Sequence, residues 1–110
     1  MRIDERAAQL WPVLVFAAFH RQTTDCETLG RLIGVPREDI GALLMPVQGY
    51  CLAHGIPDLT VIVAGDVDAG SAVRVAVFHH PWLDETTPTP ADFARFAPQG
   101  QAPERQTLDR

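Results

Sequence analysis

Lysine is missing from this chain: all nine of its cationic side chains are arginine. Against 14 Asp and Glu they leave a net charge of −5. The acidic excess is spread along residues 1–85 with no acidic block. A chain of that charge is repelled by nucleic-acid phosphates unless its charges are segregated. Cysteine is scarce too. Cys26 and Cys51 are the only two, and neither belongs to a CxxC pair. That excludes a disulfide scaffold and reads both as small buried apolar residues. Long hydrophobic runs are also lacking. The longest, Val13 to Phe19, is closed by His20 and Arg21, well short of the roughly 20 residues a bilayer demands. Arg2, Asp4, Glu5 and Arg6 open the chain, and no signal-peptide cleavage pattern follows the apolar stretch. The expected location is the cytoplasm, with no membrane partner. What remains is a chain of 110 residues, 46% apolar, with room for one domain and one modest core.

The most ordered pattern is Thr28 to Leu44, TLGRLIGVPREDIGALL. Leu29, Ile33, Val35, Ile40 and Leu43 supply apolar positions at helix-turn-helix spacing. Gly34 stands where the turn needs positive φ, and Pro36 stands where a new helix tolerates a missing N–H. Thr24 to Glu27 has capping-box form, which starts the first of the two helices at about Asp25. Gly30 allows that helix to approach the next, expected from about Pro36 to Met45. Upstream, Asp4 is the expected N-cap of a helix running to Arg21, whose apolar face is Trp11, Leu14, Val15, Ala18 and Phe19, with Pro12 kinking or restarting it.

Downstream, Pro46 is expected to open a further helix that ends at His54, stopped by Gly55 and Pro57. Leu59 to Ala64 reads as a strand, residues 65–70 as a turn, and Ala72 to Phe78 as a second strand, because Val73, Val75 and Val77 alternate with Ala72, Arg74 and Ala76. Thr89 to Asp92 opens a short helix that sets Phe93 and Phe96 on one face. The expected fold is therefore α+β: a winged helix-turn-helix over residues 1–97, with the hairpin as wing and a short C-terminal helix. Residues 98–110 are expected to form a disordered tail.

Candidate chemistry is thin. His20, His54, His79 and His80 match no zinc spacing, so no metal or cofactor is expected. Cys51 and His54 share a helix face but lack an oxyanion motif, so no catalysis is expected from them. Asp66 and Asp68 fit turn chemistry better than a two-metal nuclease site. As a DNA reader, the second helix of the motif would present Arg37, Glu38 and Asp39, and the segment Gln22 to Met45 holds two Arg against four acids.

From Thr23 to Val63, about a third of the chain, the order of pieces resembles the winged-helix half of alkylguanine-DNA alkyltransferases and their alkyltransferase-like relatives. TTDCETLGRLIG carries that resemblance. Their Pro-Cys-His-Arg active-site motif is absent: Tyr50 precedes Cys51, and Leu52-Ala53-His54 follow it. The resemblance therefore implies a fold and no alkyl transfer. The chain is also similar to short uncharacterised bacterial and phage proteins that combine Tyr50-Cys51, Gly55-Ile56-Pro57 and Leu59-Thr60 ahead of a valine-rich stretch.

The expectation from sequence is non-enzymatic recognition by a small DNA-binding or regulatory protein. It would act as a dimer, with Arg31, Arg37 and Arg74 on phosphates or base edges. The alternative is an acidic protein-binding module, or an inhibitor of a nucleic-acid-handling partner, of phage or mobile-element origin. It would use Glu38, Asp39, Asp66, Asp68 and Trp82, which is an aromatic anchor if exposed and otherwise folds back over helix 1 as core.

Overall fold

A computed structural model describes residues 2–64 and 71–96. Five helices dominate it: α1 (Ile3–Phe19), α2 (Cys26–Ile33), α3 (Ile40–Ala53), α4 (Ser71–His79) and α5 (Pro90–Ala94). Short 3-10 turns cover Arg37–Asp39, Leu59–Ile62 and Trp82–Asp84. Among the described residues, strand pairing is confined to β1 (Thr24–Asp25) and β2 (Val63–Ala64), which run parallel with Thr24 opposite Val63 and Asp25 opposite Ala64.

The chain is thus mostly helical, and the expected α+β winged fold is wrong: the described residues contain no β-hairpin. Of the first proposed wing strand only Val63–Ala64 is extended, paired in parallel with β1, and the second is a helix; both departures have identifiable reasons. Leu59 to Ile62 are all buried, so they show no alternation of faces. Asp58 instead winds them into a 3-10 turn, its Oδ1 accepting from the Thr60 N–H at 3.0 Å and the Thr60 hydroxyl at 2.7 Å. Ser71–His79 alternates in sequence yet folds as a helix, with Val77 buried and Val73 and Val75 exposed. Over so few residues a period of 2 and a period of 3.6 fit nearly the same apolar positions. The turn between them, residues 65–70, lies outside the described residues, as does the tail proposed for 98–110.

The core grows from α1. Ile3, Ala7, Leu10, Trp11, Leu14, Val15 and Ala18 form its buried stripe at helical spacing. Helix α1 starts one residue before the expected Asp4 cap. Asp4 sits inside the first turn, bound by Arg2 at 2.7 Å and by the Glu5 N–H at 2.9 Å. Arg6 ties α1 to α2 by donating to the Ile33 carbonyl at 2.8 Å, which satisfies a free carbonyl at the C-terminus of α2.

The α2–α3 connection follows the spacing that predicts it. The N-cap is Asp25, one residue after the expected Thr24, and its carboxylate accepts from the Thr28 N–H at 2.8 Å. Gly34 ends α2 at φ +76°, and the Gly34 and Val35 amides both bond to the Gly30 carbonyl. A β-carbon on Gly30 would lie 2.4 Å from the Val35 carbonyl oxygen. Glycine there admits the turn itself, whereas the expected contact was helix 3. Pro46 does not open a new helix. It is buried inside α3, which runs on to Ala53. Helix α5 begins as expected, Asp92 accepting from both the Thr89 N–H and its hydroxyl. It places Phe93 in the core and brings Phe96 against Gly49.

Candidate functional site

Four aromatic rings meet where α1, α3, α5 and the Trp82 turn converge. Trp11 contacts Tyr50, Trp82 and Phe93, with ring centroids 5.4, 5.8 and 5.9 Å away. Trp82, proposed from sequence as an exposed anchor or a core residue, is only 3% exposed. Its indole donates to the Val77 carbonyl at 2.7 Å, which pins the turn to the end of α4.

Above this buried layer lies an open groove of about 390 Å³. Trp11, Val15 and Trp82 lie within its lining; Phe16, Phe19 and Leu83 stand beside them, 64%, 56% and 66% exposed. Pro12, His20, Glu85 and Thr87 complete the lining. The groove exists because α1 carries a second apolar stripe. Pro12, Phe16 and Phe19, at i, i+4 and i+7, point away from the core stripe and into solvent. Phe19 belongs to this outer stripe and not to the buried face expected of it. His20 packs against both Phe16 and Phe19, with centroids at 4.3 and 5.2 Å. On the opposite rim, Glu85 lies 3.1 Å from the His80 ring nitrogen, and the His80 ring packs on Trp82 at 4.4 Å. An apolar cleft with a few fixed polar groups has the make-up of a binding site.

Arg31 and Arg37 are both exposed and line one cleft at the α2–α3 turn together with Glu27. Asp25 faces the same two cations. The Thr28 amide is the main cause that holds its carboxyl below the usual range, and the charges of Arg31 and Arg37 add to the effect. Glu38 is exposed beside Arg37, and Asp39 is half-buried. Helix α3 itself carries no charged residue, and its exposed positions include Gly41, Met45 and Leu52. Arg74 is on α4, half-buried, its Nε without a hydrogen-bond partner among the described residues. Asp66 and Asp68 lie outside the described residues.

Cys51 is fully buried, and burial pushes its thiol up to about 12, so it stays protonated at neutral pH. His54 turns to Tyr50 instead, its Nδ1 3.0 Å from the Tyr50 carbonyl and its ring stacked on the phenol at 4.0 Å. Among the described residues no three metal-ligating side chains gather, and no helix is long and apolar enough to cross a membrane. Compared with known protein families, characterised proteins and solved structures, the chain matches none.

Sequence reasoning overlooked the groove. The signal was present as Pro12, Phe16 and Phe19 at helical spacing beside the core stripe. An almost wholly apolar helix end looks in sequence like a single broad core face, which hides the second stripe.

Proposed function

We propose that this protein is a non-enzymatic recognition module that captures a segment of another protein in the groove between α1 and the Trp82 turn. The observation that carries this reading is the exposure of Phe16, Phe19 and Leu83 around a floor that includes Trp11 and Trp82. Large exposed apolar patches with polar rims mark interaction surfaces, and aromatic side chains set on rigid elements are the usual anchors. The turn holding Trp82 is fixed by its bond to Val77, so the site is organised before a partner arrives.

A second reading, duplex DNA bound at the α2–α3 turn, is favoured by Arg31 and Arg37 sharing one cleft. Against it stand the uncharged α3, the acids Asp25, Glu27 and Glu38 beside those two cations, and the net charge of −5. Phosphate binding gains affinity from each cation it engages, and two partly compensated arginines supply little.

Photocross-linking separates the two readings. A benzophenone side chain at position 16 is expected to trap a defined protein, and the same group at Leu52, also exposed on α3, is expected to trap none. Micromolar binding of duplex DNA that is lost when Arg31 and Arg37 become Ala would instead support the second reading.

A further inference from the structure

Resting on the groove reading above, we infer that the occupant is a short amphipathic helix of a partner protein, apolar on one face and carrying Lys or Arg where it passes Glu85. Length comes first. Along α1 the lining runs from Trp11 to His20, ten residues in sequence, or about 14 Å at 1.5 Å per residue. That matches roughly two and a half turns of a second helix lying alongside, whose i, i+3, i+4 and i+7 side chains would meet Phe16, Phe19 and Leu83.

Charge decides the polar side of the occupant. Among the described residues that line the groove, Glu85 is the one Asp, Glu or Arg side chain, with His20 as the other titratable group. Its carboxylate is held at the rim by His80 at 3.1 Å. The adjoining groove shares Phe19, Trp82 and Leu83 and carries Arg21 and Asp84, one charge of each sign. With His20, His79 and His80 counted as neutral, the combined lining carries one net negative charge, on a chain that is negative overall. An acidic helix would bring carboxylates toward Glu85, and the one arginine of the two linings, Arg21, is matched by Asp84. A second copy of this chain carries its own net charge of −5, which disfavours self-association as the use of the groove.

The test uses three fluorescein-labelled helical peptides of about 14 residues. All share one leucine stripe, and their polar positions are all Lys, all Glu or all Gln. Each is titrated by anisotropy into the full chain, the Phe16→Ala variant and the Glu85→Gln variant, at about 0.15 M salt. Phe16 is largely exposed, so Phe16→Ala is expected to keep the native far-UV circular dichroism.

The expected result is that the Lys peptide binds about ten-fold tighter than the Glu peptide, with the Gln peptide between them. Phe16→Ala weakens the Lys peptide about ten-fold. Glu85→Gln weakens it roughly three-fold and leaves the Gln peptide unchanged. Equal binding of all three, lost in Phe16→Ala, overturns the charge assignment and leaves the groove as a protein site. Binding of the Lys peptide that ignores Phe16→Ala is surface adsorption and overturns the inference. So does binding of no peptide at up to about 100 μM, roughly −5.5 kcal/mol. A dimer in sedimentation that Phe16→Ala dissociates places a second copy in the groove and also overturns it.

Discussion

Trp11 and Trp82 meet edge to face, their ring centroids 5.8 Å apart and their planes at 80°. The contact joins the middle of α1 to a turn far along the chain, and the groove lies over it. Trp82→Phe keeps an aromatic edge and removes the indole donor, so the Val77 carbonyl loses its 2.7 Å partner. The expected cost is about 1–3 kcal/mol in urea unfolding, together with weaker occupancy of the groove. A variant as stable as the parent would show that the indole bond does not hold the turn.

Two glycines with opposite surroundings make a second prediction. At Gly30 a new methyl group would meet the Val35 carbonyl oxygen at 2.4 Å, and backbone cannot step aside cheaply. At Gly41 nothing lies within 4 Å. Gly30→Ala is therefore expected to destabilise despite its better helix propensity, and Gly41→Ala to stabilise by up to about 1 kcal/mol. Thermal unfolding of both variants checks the sign. The same sign for both would remove the assigned role of Gly30.

This pair also marks what could be read directly from the sequence. Leu29, Gly34, Ile40 and Leu43 specify the α2–α3 connection through local rules of φ and spacing, and the structure follows them, whereas Pro36 stays extended and α3 starts only at Ile40, after a 3-10 turn. Thr89 and Asp92 specify the start of α5 in the same way. The failures came where tertiary context overrode local pattern. Ser71–His79 alternates like a strand, yet Arg74, Val77 and Phe78 turn inward together at helical spacing. Pro46 looks like a helix start, but burial among the core residues of α3 carries the helix past it. The groove depends on Trp11 and Trp82 meeting across 71 positions of sequence, a pairing no local rule supplies.

Cys51 provides a chemical check. Burial pushes its thiol up to about 12, leaving almost no thiolate at pH 8. Cys26 is half-buried. Titration with Ellman's reagent at pH 8 is expected to count no more than one thiol in the native chain and both in denaturant. Two fast-reacting thiols in the folded protein would contradict the burial of Cys51.

Acid stability follows from three carboxylates held below their ordinary range. The Thr28 amide does this at Asp25 and the Thr89 amide at Asp92. At Asp4, burial acts to raise the pKa but is outweighed by Arg2 and the Glu5 amide. A depressed carboxylate stabilises the fold above its unfolded pKa of about 4, and that contribution disappears as pH falls through the folded value. Stability is thus expected to fall on acidification below about pH 4, with a shallower slope in an Asp25→Asn, Asp92→Asn double variant. An unchanged slope would show that these caps do not titrate with folding.

We propose recognition over the two tryptophans and not at the arginine cleft. Trp11 and Trp82 are the only tryptophans in the chain, and both line the groove, so two indole N–H resonances report on it directly. The decisive measurement is a nitrogen-15 correlation spectrum of the full chain, titrated separately with the Lys peptide and with duplex DNA. The peptide is expected to shift both indole signals together with the amides of Phe16, Phe19 and Leu83, and DNA to shift none of them and to leave Arg31, Gly34 and Arg37 in place. Unmoved indoles with the peptide, and DNA-induced shifts centred on Arg31, Gly34 and Arg37, would contradict it.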